Sequence, residues 1–271
     1  MRFMKMTGAG NDFIAVNNAA GALDGVLTRS SIARMCRRGL SIGADGLLEL
    51  RSASDPHSGA DYRMIYYNSD GGRASMCGNG GRCMARFAMM EGVAGSSQVF
   101  ESDAGLHRAV ILDSCGVRLW MTDPVMIEPE LQIDLPGADP DSFHGVLVDT
   151  GVPHLVIFRE NIGDGVFERA AASLRRHAAT GRDGANVDFV ELDGRSSILM
   201  RTWERGVEGE TLACGTGAVA AVFAGVRLGL LDSPCRIVPT GGVPLSAGRD
   251  DDGWWLEGEA RAVYSGDTVE P

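Results

Sequence analysis

The sequence has little of several things that common protein classes require. Of its 25 basic residues only Lys5 is a lysine, so a Schiff-base cofactor has one candidate attachment point. The basic residues are outnumbered by 36 acidic ones, and the resulting net charge of −11 argues against a protein that binds nucleic-acid phosphates. The longest apolar run, residues 218–226, is too short to span a bilayer.

Cysteine and histidine are also sparse. The six cysteines are too few for a disulfide scaffold, and no two of them form a C-x-x-C pair. The five histidines are scattered, so the usual ligand spacing of a zinc site is missing and we expect no metal. The N-terminal residues lack the apolar core of a signal peptide. We therefore expect a cytoplasmic protein with no membrane partner.

What the chain does have is a strand-rich pattern with few helices. Short apolar runs bounded by turns predict strands. Four segments have helical periodicity, and a glycine follows three of them. The pattern predicts an α+β (α/β) fold. The predicted helices are 28–38, 78–91, 166–178 and 215–228; the predicted strands include 13–17, 47–51, 62–67, 109–112, 117–121, 145–148, 187–192 and 198–203.

Three short motifs occur twice in the chain, in the same order. Their first residues lie 143, 141 and 137 positions apart, about half of the 271 residues. The alternative is chance, because glycine-rich turns recur easily in a chain with 37 glycines. We favour two homologous halves that face each other across a cleft. The pairs are Thr7-Gly8-Ala9-Gly10 with Thr150-Gly151-Val152-Pro153, Gly43-Ala44-Asp45 with Gly184-Ala185-Asn186, and Cys77-Gly78-Asn79-Gly80 with Cys214-Gly215-Thr216-Gly217.

The repeat predicts the domain organisation. We expect one domain at 1–122, to which a C-terminal tail at 263–271 returns, and a second domain at 123–262. The proline-rich stretch 123–140 is the expected crossing between them.

A cysteine just before a helix, followed by glycines, lies where unpaired N–H groups and the positive end of the helix dipole meet. That environment favours the thiolate. Taken alone, either cysteine is more commonly inert packing. Two symmetry-related copies suit a racemase or epimerase in which one thiolate removes a Cα proton and the opposite thiol returns one. A disulfide oxidoreductase is the other user of paired thiols, although it normally carries C-x-x-C.

Three segments resemble the signatures of diaminopimelate epimerases, namely residues 5–13, 68–83 and 204–217. The resemblance implies two pseudo-symmetric domains, each a strand-rich half-barrel around a central helix, with the active site in the cleft. It implies an enzyme without cofactor or metal that forms homodimers. The substrate would be a small amino acid, because the family interconverts LL- and meso-diaminopimelate for lysine and cell-wall precursors.

The resemblance also assigns roles to residues. Cys77 and Cys214 become the acid–base pair. The reacting carboxylate is held by Gly78, Asn79, Gly215 and Thr216, the reacting ammonium by Asn68 and Glu204, and the distal head group by Asn11, Asn186 and Arg205, with His154 in a supporting place.

Structural alternatives remain for several of these residues. Asn11 and Asn186 could be turn formers. Glu204 and Arg205 could be a surface ion pair of little value. His154 could be an ordinary buried histidine.

Two departures from the family pattern concern the distal end of the site. Val152 stands where many members have Asn, and Gly46 stands where some have Gln. A related cofactor-independent racemase of another amino acid, such as histidine, is therefore a second hypothesis. A thiol redox regulatory protein is the alternative that is not an enzyme.

Overall fold

The computed structural model describes residues 1–269. The chain folds as two compact units. The first comprises Met1–Leu119 and the C-terminal segment from Glu257, and the second comprises Trp120–Leu256. The tail expected at 263–271 belongs to the first unit as far as residue 269, and its last two residues lie outside the described part.

The elements alternate as the sequence pattern predicts, with more strands than it identified. In chain order they are β1 Arg2–Gly8, β2 Asn11–Asn17, α1 Arg29–Cys36, β3 Gly46–Arg51, β4 Tyr62–Asn68, β5 Arg73–Ala74, α2 Gly78–Met90, β6 Ser97–Ser102, β7 Gly105–Ile111, β8 Gly116–Trp120, β9 Val125–Asp134, β10 Ser142–Asp149, β11 Pro153–Phe158, α3 Val166–Arg175, a 3₁₀ turn at Ala178–Thr180, β12 Asn186–Leu192, β13 Ser197–Glu204, β14 Gly209–Thr211, α4 Gly215–Arg227, β15 Cys235–Pro239, β16 Leu245–Asp250, β17 Gly253–Glu259 and β18 Arg261–Asp267.

The two units use the same order of strand pairing. In the first, β1, β2, β3, β4, β6 and β7 pair in that order, with β2–β3 and β4–β6 parallel and the others antiparallel. In the second, β10, β11, β12, β13, β15 and β16 do the same, with β11–β12 and β13–β15 parallel. The short strands β5 and β14 form hairpins with β4 and β13. The repeat predicted from the motifs is therefore confirmed in the topology.

Each unit has a central helix that its own sheet surrounds. Helix α2 packs against β1, β2, β3, β4 and β7, and α4 packs against β10, β11, β12 and β16. Ten of the thirteen residues of α2 and nine of the thirteen of α4 are buried, which is the composition of a helix inside a core. Helices α1 and α3 pack with separate apolar clusters that include Ile32 and Phe167.

Two element boundaries differ from expectation. The helix predicted at 166–178 ends at Arg175, and the last turn is a separate 3₁₀ turn. The stretch 123–140, expected to be a crossing, instead contains strand β9, which pairs antiparallel with β10. Proline cannot donate a ladder hydrogen bond, and Pro129 is accommodated where the pairing with β10 is irregular. None of the helices among residues 1–269 is long and apolar enough to cross a membrane.

Candidate active site

The first turn of α2 presents Cys77. This residue is the N-cap, and its half-buried Sγ accepts a hydrogen bond from the Gly80 N–H at 3.4 Å. The carbonyl of Cys77 accepts the helical bond from Gly81 at 2.7 Å. The N–H groups of Gly78 and Asn79 belong to the first turn, where no carbonyl of the helix can bind them. Thiol and backbone donors thus meet at the positive end of the helix dipole.

A directional chain of hydrogen bonds ties Asn79 to Asn11. Arg82 Nη2 donates to Asn79 Oδ1 at 2.6 Å, and Asn79 Nδ2 donates to Asn11 Oδ1 at 2.7 Å. Asn11 Nδ2 then donates to Asp45 Oδ2 at 3.0 Å. Because a guanidinium only donates and a carboxylate only accepts, both amides have a fixed orientation. Each amide nitrogen keeps a second hydrogen, which suits a carboxylate oxygen.

The only lysine lies in a cluster of ion pairs next to Asp45, the last acceptor of these hydrogen bonds. Lys5 is 7% exposed, lies 2.7 Å from Asp12 Oδ2, and also donates to the Gly43 carbonyl. Arg38 binds Asp12 and also Asp45, at 2.8 Å from Asp45 Oδ1. Burial acts to raise the pKa of Asp12, but the hydrogen bonds from Arg38 and Lys5 outweigh it and hold that pKa below 3.8. Lys5 is therefore committed to an ion pair.

Asn68 lies at the end of β4, with an exposed side chain. The strand register places it opposite Gly46, next to Asp45. A Cβ on Gly46 would lie 2.4 Å from the Tyr67 carbonyl oxygen and 2.7 Å from the Tyr66 ring. The departure at position 46 thus has a local cause, because strand β4 fills the space that a side chain would need.

The first turn of α4 repeats the arrangement around Cys214. This buried residue is the N-cap, its carbonyl accepts from the Ala218 N–H at 3.0 Å, and its Sγ lies 3.4 Å from Thr216 Oγ1. Burial raises the pKa of the Cys214 thiol well above its usual 9.0, and the carboxylates of Glu204 and Asp188 raise it further. Cys214 is consequently a thiol at neutral pH.

His154 is connected to this turn through Thr216. Its Nδ1 lies 2.7 Å from Asp188 Oδ2, and both side chains are fully buried. Its Nε2 lies 3.0 Å from Thr216 Oγ1 and 3.2 Å from Asn186 Nδ2. Since an amide nitrogen only donates, the lone pair of the imidazole is on Nε2 and its proton is on Nδ1, facing Asp188. The contacts run from Asp188 through His154 and Thr216 to Cys214.

Asn186, Glu204 and Arg205 gather beside this group. Asn186 Oδ1 accepts the Arg205 N–H at 2.7 Å, which fixes the amide, and Arg205 Nη1 contacts the Gly184 carbonyl at 3.4 Å. Burial raises the pKa of Glu204, Asp188 adds to the rise, and His154 opposes it. Arg205 is not among the groups that shift the pKa of Glu204, so within the described residues the two do not form the simple surface ion pair.

Three residues that support the candidate site were missed in the sequence. Asp188 lies two residues after Asn186 on β12, so strand alternation puts both on one face. Arg82 follows Asn79 by three residues on α2, which is the spacing of helical neighbours. Asp45 was noted only as part of a repeated turn. In residues 1–269 no group of three or more His, Cys, Asp and Glu side chains is arranged to hold a metal ion.

The sequence profile of the diaminopimelate epimerase family matches residues 3–127 and 146–263. A diaminopimelate epimerase of Chlorobaculum tepidum is 38% identical over 266 residues, covering 96% of this chain and 98% of that protein. One of Archaeoglobus fulgidus is 36% identical over 273 residues, with 97% and 95% covered.

Solved structures share the fold at low identity. A phenazine biosynthesis protein of Bacillus anthracis superposes with a TM-score of 0.71 at 15% identity, covering 99% of each chain. A probable proline racemase of Agrobacterium radiobacter superposes with a TM-score of 0.70 at 16% identity, covering 100% of this chain and 93% of the other. These structures support the predicted fold class.

Proposed function

The chain belongs to the diaminopimelate epimerase family, and from that premise we propose that it interconverts LL- and meso-diaminopimelate with Cys77 and Cys214 as its two bases. The observation that carries the proposal is the pair of Cys-Gly-x-Gly helix starts. In both, a cysteine is the N-cap residue of a buried central helix. The product would serve lysine and cell-wall precursor synthesis.

In the proposed reaction one cysteine is a thiolate and the other a thiol. The thiolate takes the Cα proton, and the electron pair of the C–H bond is left on Cα and its carboxylate. The thiol then delivers its proton to the other face, so the configuration inverts and the ionisation states of the two sulfurs are exchanged. The reaction requires one sulfur on each face of the substrate.

The difficult step is the formation of a carbanion next to a carboxylate. We propose that the first-turn N–H groups of Gly78, Asn79, Gly215 and Thr216 hold that carboxylate, since donors preorganised at a helix N-terminus stabilise growing negative charge. The fixed orientation of the Asn79 amide supports this role on the α2 side. His154 positions Thr216 on the α4 side.

The remaining roles follow the chemistry of each group. Asn68 and Glu204 would bind the reacting ammonium, because amide and carboxylate oxygens suit a cation. Asn186 and Arg205 would hold the distal head group together with Asn11, Arg205 pairing with its carboxylate by two parallel hydrogen bonds.

We propose that the reaction needs no pyridoxal phosphate. The support is Lys5, the only lysine, which is buried in its ion pair with Asp12. Because the Lys5 amine is engaged by Asp12 and by the Gly43 carbonyl, it is not free to form a Schiff base.

The test is direct. Purified enzyme in D₂O should epimerise diaminopimelate and incorporate α-deuterium without added pyridoxal phosphate. A double Cys77→Ala, Cys214→Ala variant should be inactive. Activity retained in that variant would overturn the proposal.

A second enzymatic function is motivated by Val152 and by Gly46, where the structure leaves no room for a side chain. A racemase of another amino acid, such as histidine, would turn over single-headed amino acids faster than diaminopimelate. A thiol redox regulator would form a reversible disulfide and exchange no α-hydrogen with either substrate.

We further propose that the chain contains two homologous domains, residues 1–122 with the tail from 263 and residues 123–262. We also propose that it forms a cytoplasmic homodimer. Reduced thiols fit a reducing compartment, and exposed Val263 and Tyr264 on β18 offer apolar surface for self-association. Light scattering coupled to gel filtration measures the mass. A mass of one chain, 28.7 kDa, would contradict the dimer.

A further inference from the structure

Arg82 is a fully buried arginine without a carboxylate partner. Its side chain is 0% exposed in the middle of α2. Nη2 donates to Asn79, whereas Nε and Nη1 are buried with no hydrogen-bond partner in the described part of the chain. Burying a charge in this way is strongly unfavourable unless something compensates it. The guanidinium therefore needs a negative charge nearby.

Charged side chains on several of the strands around α2 form ion pairs of their own. On β1, β2 and β3, Lys5 pairs with Asp12, and Glu49 pairs with Arg51. On β4 and the β17–β18 connection, the pairs are Arg63 with Asp103 and Arg261 with Glu259.

On the helix itself the neighbouring cation is Arg86. It is one turn away from Arg82 and donates to the Asp113 carbonyl at 2.7 Å. Among the described residues, Asn79 is the only hydrogen-bond partner found for Arg82, and no ion pair joins Arg82 to a carboxylate.

The groups that do act on Arg82 are two thiols. In their ionised forms, Cys83 and Cys77 would both oppose the fall in the Arg82 pKa that burial causes. Cys83 is fully buried, and burial raises its pKa to about 12, so it stays neutral. Cys77 is half-buried at the helix N-terminus and accepts the Gly80 N–H, so it is the thiol that can carry the compensating charge.

The other cysteine has the opposite surroundings. Helix α4 has no charged residue before Arg227, and the groups that act on Cys214 are the carboxylates of Glu204 and Asp188. The helix that Cys77 caps thus carries a buried cation with no carboxylate partner, whereas carboxylates act on Cys214.

We propose that Arg82 is a positioning residue that holds Cys77 as the resting thiolate and orients Asn79 and Asn11 as carboxylate donors. Cys214 is then the resting thiol. The inference rests on the proposed function for the identity of the substrate, whereas the charge assignment can be measured without turnover.

The experiment is site-resolved alkylation by iodoacetamide, quantified for each cysteine by peptide mass spectrometry from about pH 5 to about pH 10. In the unmodified enzyme, Cys77 should reach half its maximal rate at a lower pH than Cys214. The pH of the midpoint identifies the more acidic thiol, because the accessibility of a cysteine to iodoacetamide changes its maximal rate of alkylation and not the midpoint. A lower midpoint for Cys214 would overturn the proposal, and this measurement needs no variant.

Variants test Arg82 itself. Arg82→Met should slow alkylation of Cys77 near neutral pH by about 10-fold, which corresponds to one pH unit, and leave Cys214 unchanged. Arg82→Lys should restore much of the rate, because the charge is kept. Arg86→Met, on the same helix, is the matched control and should leave the midpoint of Cys77 in place. An unchanged midpoint in Arg82→Met would contradict the role of Arg82.

Epimerisation is read out separately. If the alkylation profiles are as expected but no α-deuterium exchange occurs with diaminopimelate, the proposed function fails and the charge assignment stands. If exchange occurs and the midpoints are equal or reversed, the assignment to Arg82 fails alone.

Discussion

The turns at Cys77 and Cys214 have the same backbone and opposite electrostatics. In both, an extended cysteine caps a thirteen-residue helix and its carbonyl starts the helical ladder. The α2 turn has the buried Arg82, whereas the α4 turn has Asp188 and Glu204 and no cation in its helix before Arg227. Two-base chemistry needs one ionised and one protonated sulfur, and different surroundings decide which sulfur holds the charge at rest. The repeat supplies the geometry, and the divergence supplies the difference in charge.

The largest effect should come from removing either sulfur. Cys77→Ala and Cys214→Ala should each lower the epimerisation rate by about 10²- to 10⁴-fold, since each removes one proton-transfer group. Because Cys77 is the proposed thiolate, α-deuterium exchange into one epimer should survive better in Cys214→Ala than in Cys77→Ala. NMR of the α-position measures both quantities. Equal α-deuterium exchange in Cys77→Ala and Cys214→Ala would contradict the proposed difference in charge between the two sulfurs.

A smaller effect is expected from the anionic side of the comparison. Asp188 accepts hydrogen bonds from His154 at 2.7 Å and Thr202 at 2.8 Å, all within the core. An asparagine amide has a single oxygen, so it cannot accept both hydrogen bonds in this geometry, and its NH₂ group would face one of the two donors. Asp188→Asn should therefore lower the free energy of unfolding by about 2 to 3 kcal/mol, measured by urea denaturation. The exposed Asp193 provides the control, because Asp193→Asn should change the free energy of unfolding by less than about 0.5 kcal/mol.

The equivalent glycines of the two turns should also differ. A Cβ on Gly217 would lie 2.7 Å from Asp188 Oδ1 and 2.9 Å from Met200 Cε, whereas a Cβ on Gly80 would lie 3.1 Å from the flexible end of Leu48. Gly217→Ala should lower the free energy of unfolding by about 1 to 2 kcal/mol through overpacking. Gly80→Ala should leave the free energy of unfolding nearly unchanged, because the higher helix propensity of alanine, about 1 kcal/mol, offsets the close contact with Leu48. Equal losses in urea unfolding would contradict this.

The smallest effect is the pH dependence contributed by Glu204. Burial raises its pKa, so the folded state keeps the proton at pH values where the unfolded chain, with a pKa near 4.5, has lost it. This group therefore removes stability as the pH rises through 4.5 towards the raised pKa. Glu204→Gln lacks that loss, and its stability relative to the unmodified enzyme should increase from about pH 4 to about pH 7. A difference that is constant with pH would contradict the burial effect.

Local patterns predicted much of the fold. All four helices and the strands with alternating apolar residues lie where periodicity put them, and the repeated glycine motifs predicted the repeated topology. Strand β18 was missed because most of its residues are exposed, so no alternation marks it. Strand β9 was missed because its proline and acidic residues are unusual in a strand. The irregular pairing with β10 accommodates both.

The candidate site was predicted only in part. The cysteine turns and His154 are local motifs or follow from the resemblance. Arg82, Asp45 and Asp188 were missed because their importance depends on burial and on which charges are paired, and these are tertiary properties. The function of the only lysine was equally invisible, because Asp12 and Gly43 meet it only in the fold.

In the proposed mechanism two different groups handle the two faces of Cα, and initial-rate epimerisation in D₂O distinguishes this from the use of a single base. Starting from either epimer of diaminopimelate, the product should carry α-deuterium from its first formation while the remaining substrate stays unlabelled. Substrate that gains deuterium as fast as product forms, or product that retains the original α-proton, would contradict it.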